Sequence, residues 1–288
     1  MTASAGLAAS FRYTFGRGNP NRRQVLLGLP TVLFLLFLFA IPVARFMLLP
    51  IADGTIEPYV KALTGELFLL VIWNTFKIAA YVTLFSFLLG YPVAYFLTVA
   101  PPVWRLIGFF CVLIPFWTSI LVRTYAWLVI LGRRGIINET LLSAGIIETP
   151  LAMLHSTPAV LLGMVHVLMP FFIFPVYSVM QRIDTNLISA ARGLGAPDWR
   201  VFLSVYLPLT LPGVLSGATL VFILSMGFFI TPALLGGGRV TMISVLIEQY
   251  VNTFLDWQFA GALSAVLLAV TLIAYGLMKW AMKGDKKW

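Results

Sequence analysis

Two cations stand inside runs that are otherwise apolar, Lys77 in NTFKIAAY and Arg123 in LVRTYAW. A full charge in such surroundings is expensive unless it is paired, faces water or reaches an interface, so each marks a place where function can sit. Lys77 lies toward one end of its run, and its long stem can carry the ammonium to the interface. Arg123 lies deeper, where a guanidinium either lines a solute path or anchors an internal hydrogen-bond network. Trp117, Tyr125 and Trp127 offer π faces to a ligand cation, although aromatic side chains are equally at home at a membrane interface. The two histidines, His155 and His166, have no supporting ligands at metal-site spacing, so no metal is expected. His166, between apolar neighbours, reads as an interior histidine. Cys111, the single cysteine, sits in apolar FFCVLI and reads as a buried packing residue.

The missing patterns narrow the chemistry further. The sequence holds no GxxxxGK[ST] to cradle nucleotide phosphates, and no HExxH or GxSxG. The chain is therefore expected to be non-catalytic and to bind no cofactor of its own. No Asp or Glu falls centrally in an apolar run, which weighs against an ion-coupled secondary transporter, the alternative from another class.

These residues are carried by an all-α integral membrane chain. Hydrophobic residues make up 60% and charged ones only 10%, against about 25% charged in soluble domains. The net charge of +9 is accordingly assigned to bilayer orientation, with no nucleic-acid partner. A basic segment, 1–24, precedes a first span at 25–49, too long for a signal-peptide core. About 25 helical residues at 1.5 Å each cross a ~30 Å hydrocarbon core with some tilt. Further spans are expected at 67–99, interrupted at Gly90 and Pro92, and at 104–131, kinked at Pro115. A fourth at 153–180 carries Pro158, Pro170 and Pro175, which membrane helices tolerate when neighbours re-satisfy the backbone. The fifth and sixth are expected at 207–235 and 259–282, leaving a tail at 283–288. Within the fifth, Gly213 and Gly217 have the small-xxx-small spacing of close helix packing, which also suits a subunit interface.

Six spans put both termini on one side. Arg12, Arg17, Arg22 and Arg23, Arg105, the cluster Arg182, Arg192 and Arg200, and Lys279, Lys283, Lys286 and Lys287 all fall there. The other side has Lys61, Arg133, Arg134 and Arg239, with Arg45 at the end of the first span, together with most of the acids. The basic side is expected to be cytoplasmic.

The longest polar-leaning stretch inside this sequence is the loop 182–206. Asp184 is placed to cap a helix beginning at Thr185, with Leu187, Ile188, Ala191 and Leu194 on one face. Gly193 and Gly195 can supply a left-handed end, and Pro197 can open a second short helix. Ser189-Ala190-Ala191, Gly195, Val205 and Leu207-Pro208 fit the pattern Glu-Ala-Ala, three residues, Gly, nine residues, Ile, one residue, Leu-Pro. The stretch resembles the cytoplasmic coupling loop of ABC-importer permeases, with Ser189 in place of the glutamate and Val205 in place of the isoleucine. The likeness extends over YPVAYFL from Tyr91, RTYAWLVILG from Arg123, NETLLSAGII from Asn138 and GFFITPALLGGG from Gly227, which resemble permeases of the spermidine/putrescine importer family.

The resemblance implies a type I ABC-importer permease fold, a core of five spans at 67–282 behind an extra first span. It implies a second permease, two ATP-binding subunits that hold ATP and Mg, a periplasmic solute-binding protein, and a bacterial inner-membrane location. Ser189, Ala190, Ala191, Arg192, Gly193, Leu194, Gly195, Ala196 and Pro197 would then couple to the ATPase. Trp117, Arg123, Tyr125, Phe228 and Phe229 are the expected solute path, since an organic cation away from water needs carboxylates or aromatic faces. A polyamine is the first expectation for the solute. An opine, an amino-acid derivative or another small organic solute is the alternative, because the path residues include no acid.

Overall fold

The computed structural model describes residues 29–52 and 54–283. The basic segment 1–24, the first residues of the opening span and the tail beyond 283 lie outside the described residues. The first helix, α1 (Leu29–Met47), contains a π-helical turn at Leu36–Ala40 and buries none of its central residues against the rest of the chain. After it come α2 (Glu57–Thr64) and α3 (Glu66–Val99). Then α4 (Pro102–Trp117) and α5 (Ile120–Leu131) are followed by α6 (Ile136–Ser143) and α7 (Thr157–Met180). The second half holds α8 (Thr185–Gly193), α9 (Asp198–Met226), α10 (Ile230–Gly236), α11 (Ile243–Asn252) and α12 (Trp257–Lys283).

The central element is α7. It is apolar around its whole circumference, and its buried residues, among them Val160, Met164, Leu168, Phe172, Ile173 and Val176, face α3 on one side and α9 on the other. Small residues let the backbones approach. A Cβ on Gly90 of α3 would stand 2.8 Å from a Phe172 ring carbon, and one on Gly217 of α9 would stand 2.9 Å from the Phe172 carbonyl oxygen. The Gly213/Gly217 spacing is therefore used inside the chain, between α9 and α7.

Several expectations change. The helix α3 runs unbroken through Gly90 and Pro92; the glycine serves close packing on Phe172 rather than a break. The span expected to kink at Pro115 is two helices, because Thr118 and Ser119 are non-helical and the segments on either side are bent by 99°. Thr118 closes α4 by donating both its amide and its hydroxyl to the Pro115 carbonyl. The fifth span starts earlier and stops sooner than 207–235. It runs from Asp198 through a π-helical turn at Phe202–Tyr206 to Met226, and α10 is separate from it. Cys111 is exposed on α4 rather than buried.

Polar stretches expected as loops contain α2, α6 and α11, and side chains tie them down. Asn74 donates to the Thr241 carbonyl, and the Thr75 hydroxyl accepts from the Ile243 amide. Asn138, fully buried, donates to the carbonyls of Gly132 and Leu151 at 3.0 Å each and accepts from the Leu151 amide at 2.8 Å. Asn138→Ala leaves these groups unpaired at about 1–3 kcal/mol each. A melting point several degrees below the parent is expected in detergent, and an unchanged one would contradict this account of the loop.

Candidate functional site

Candidate machinery lies in two places, the loop between α8 and α9 and the gap where α4, α5, α9 and α10 break. In the loop, Asp184 caps α8, its carboxylate accepting from the Asn186 amide at 2.9 Å. The far end closes with the Ala196 amide donating to Ala191 O (3.2 Å) and the Gly195 amide to Arg192 O (2.9 Å). That paired 6→1 and 5→2 bonding is a Schellman closure, and it requires the left-handed backbone that Gly195 has, with φ +82°. Gly193 does not share this role; it lies within the helix. Pro197 then caps the first turn of α9, accepting from the Arg200 and Val201 amides.

Across the elbow, Arg192 Nε donates to Asp198 Oδ1 at 2.9 Å. Both groups are largely exposed, so the pair adds at most about 1 kcal/mol and acts mainly to fix direction. The expected common face of α8 is divided: Ile188 packs toward the core, while Leu187 is half exposed and Leu194 is 90% exposed. With Trp199, 61% exposed under the Arg200 guanidinium, they make an apolar knob on a rigid elbow. Ser189 donates back to the Thr185 carbonyl at 3.2 Å, and Ala190 is exposed beside it.

At the second place the breaks face one another and leave a cavity of about 490 Å³. Its wall includes Phe116, Ser119, Arg123, Phe171, Leu224 and Phe228. Because Leu168 and Phe171 lie near the middle of α7, the cavity sits about halfway along that helix. Arg123 begins the second turn of α5, its amide donating to Ser119 O. The side chain is only 8% exposed, and neither Nε nor Nη1 has a hydrogen-bond partner. The break after Met226 is held by Ser244, whose hydroxyl donates to the Phe228 carbonyl at 2.7 Å. The Thr124 and Thr231 hydroxyls, 3.3 Å apart, join α5 to α10.

Of the expected path residues, the structure brings Arg123 and Phe228 together. Phe229 packs, like Phe228, against the hydrophobic core but is not in the cavity wall. Trp117 (82% exposed) and Tyr125 (55% exposed) point away from the cavity; a break after Trp117 and a helical turn at Tyr125 rotate them outward. Phe116 and Ser119 were missed, since only the position of the break reveals them, and Phe171, inside the unbroken α7, because only its packing beside that break does. Trp127 donates its indole N–H to His166 Nδ1 at 3.1 Å, and that histidine, expected in the interior, is half-buried on the wall of an open groove. Lys77 is exposed on α3. No group of three metal-ligating side chains occurs among the described residues.

Residues 24–283 match the family described as "Binding-protein-dependent transport system inner membrane component". The spermidine/putrescine transport system permease protein PotB of Haemophilus influenzae is 38% identical over 224 residues, 77% of this chain and 78% of that one. A putative 2-aminoethylphosphonate transport system permease protein, PhnU of Salmonella typhimurium, is 27% identical over 91% of this chain and 93% of its own length. Among solved structures, a chain of a bacterial alginate ABC transporter, in complex with an alginate pentasaccharide-bound periplasmic protein, superposes with a TM-score of 0.77. It is 18% identical and is matched over 93% of this chain and 96% of its own, a likeness of fold. The helices described above are those of an ABC-importer permease.

Proposed function

Because the chain belongs to the family of binding-protein-dependent transport system inner membrane components, we propose that its α8–α9 elbow receives the push of an ATP-driven engine and its mid-depth cavity receives the solute. The protein is a transport subunit, the permease of an ABC importer in the inner membrane. The observation that carries the division of labour is the elbow itself, a capped, Schellman-closed turn with Leu194 and Trp199 exposed on it. A rigid apolar knob of this kind suits a groove on another subunit.

Residues Ser189 to Pro197 form the docking face toward two ATP-binding subunits, which hold ATP and Mg; this chain binds neither and catalyses no reaction. A second permease completes the solute path, and a periplasmic solute-binding protein delivers to it. The elbow and both termini lie in the cytoplasm, on the side of Arg105, Arg182, Arg192 and Arg200. Closure of the ATP-binding subunits would move the elbow as a unit. The helix α9 continues from it for 29 residues, about 43 Å at 1.5 Å per residue, and ends at Gly227 beside the cavity. Displacement at one end is thereby delivered to Leu224 and Phe228 at the other, the basis of alternating access.

The solute is a small aminated organic molecule whose ammonium lies against Phe116, Phe171 and Phe228. Spermidine and putrescine, the solutes in the name of the 38% identical relative, are the first class to test. An opine, an amino-acid derivative or an aminophosphonate is the second, favoured by the presence of Arg123 in the wall without an acid. Affinity purification of this chain into nanodiscs from its native membranes tests the assembly. Recovery of a second permease and an ATP-binding subunit is expected; recovery of a stable, transport-competent chain alone would overturn it.

A further inference from the structure

Resting on the importer reading above, which puts the end of the bundle opposite the elbow at the outer face, we propose that this chain holds an anionic phospholipid of the outer leaflet. Its phosphate lies between Arg133 and Arg239, and an acyl chain follows the groove beside α7. Arg133 follows α5 and Arg239 follows α10, and with His155 they line a hollow of about 250 Å³ at that end. No acid lines it, and the one ion pair among the described residues is Arg192–Asp198, in the elbow. Both arginines are exposed, and their planar forks match the oxygens of a phosphate. His155 is fixed beside them. Its amide donates to the Leu235 carbonyl at 3.0 Å, and its ring takes the space that a side chain on Gly237 would need.

The hollow does not end at the charges. It shares Leu131, Ala152 and Met153 with a second hollow of about 380 Å³, and Pro158 and Leu162 join that one to an apolar groove of about 500 Å³. The groove is walled by Phe85 and Leu89 of α3, Trp127 of α5 and one face of α7 from Pro158 to Met169. That stretch of α7 rises about 16 Å at 1.5 Å per residue, one leaflet of a ~30 Å hydrocarbon core. A basic site at the surface thus continues into an oily channel one acyl chain deep.

Two features favour a lipid over a helix of the second permease as the occupant. Spread over that rise, about 500 Å³ leaves a mean section of about 30 Å², against about 80–110 Å² for a helix 10–12 Å across. The charges sit at the mouth alone, where a headgroup lies; the only polar side chains on the groove wall are His166 and Trp127, already bonded to each other. With no acid at the mouth, a net anionic headgroup is preferred to a zwitterionic one, whose ammonium would face two arginines.

The test uses the intact complex, delipidated in detergent and titrated with dioleoylphosphatidylglycerol or dioleoylphosphatidylcholine. Bound lipid is counted by native mass spectrometry, and the melting temperature is followed in parallel. The glycerol lipid is expected to bind about tenfold more tightly than the choline lipid and to raise the melting temperature by several degrees. Arg133→Gln with Arg239→Gln is expected to weaken it about tenfold or more. Leu162→Trp is expected to do the same by filling the channel; Leu162 is 38% exposed, so the larger side chain has room. Arg134→Gln, next in sequence but off the wall of the hollow, should bind as the parent does. A photoreactive residue at Leu162 is expected to bond to lipid. Equal affinity for the two lipids, the same melting shift from inorganic phosphate alone, unchanged affinity in the arginine double variant or in Leu162→Trp, or a crosslink to the second permease would each overturn the proposal. Failure of the importer reading would look different: no ATP-binding subunit would be present in the complex, whatever lipid this chain holds.

Discussion

Gly195→Pro is expected to abolish solute-stimulated ATP hydrolysis and to reduce uptake at least a hundredfold, while the spans stay folded and inserted. Two local defects produce this. Proline holds φ near −65°, whereas Gly195 has φ +82°. It also lacks the N–H that donates to the Arg192 carbonyl. The Schellman closure must then open, and Asp198 swings away from Arg192, so the knob formed by Leu194 and Trp199 no longer has one orientation. Since no side chain or backbone atom lies within 4 Å of where a Gly195 Cβ would stand, the defect stays confined to the elbow. Gly193→Ala is the contrast: it sits in the helix with open space around it, and replacing a helical glycine by alanine stabilises by up to about 1 kcal/mol. Equal uptake by Gly195→Pro and the parent would contradict the role given to the elbow.

Gly217→Leu is expected to have the largest effect on folding, leaving little assembled protein in the membrane. A Cβ there would lie 2.9 Å from the Phe172 carbonyl oxygen and 3.2 Å from its Cα, so backbone rather than a flexible side chain would have to yield. Overpacking costs about 1–3 kcal/mol even where side chains adjust, and here the contact joins α9 to the central α7. Gly276→Leu is the control, since nothing lies within 4 Å of its Cβ position and it is exposed on α12. Fluorescence-detected size exclusion should show a collapsed main peak for the first variant and a normal one for the second. Two normal peaks would mean that α7 and α9 do not pack as described.

The elbow was legible in the sequence because its signals are local. An aspartate cap, a left-handed glycine and a proline act within a few residues of themselves; they placed α8 correctly and a helix start after Pro197, though as a separate short helix rather than the first turns of α9. The spans were legible as apolar runs, but their interruptions were not. Pro92 lies in an unbroken helix, whereas Thr118-Ser119 and Gly227–Phe229 break theirs. What decides is tertiary: Gly90 lets Phe172 approach, and the Ser244 hydroxyl meets the freed Phe228 carbonyl. The path was half legible for the same reason. Arg123 stood out as a charge in an apolar run, and Phe228 as an aromatic face in the segment GFFITPALLGGG. Trp117 turned outward where a bend of 99° intervenes, which no spacing along the chain reveals; Tyr125, two residues after Arg123 on the same helix, lies on the opposite face, as helical spacing dictates.

The most direct measurement of the central claim is uptake by proteoliposomes holding the purified complex, with the binding protein and solute outside and nucleotide sealed inside. The account predicts accumulation that requires ATP and Mg within the lumen, is absent with a non-hydrolysable analogue, and is lost in Gly195→Pro. Accumulation without ATP, driven by an imposed ion or proton gradient, would contradict it.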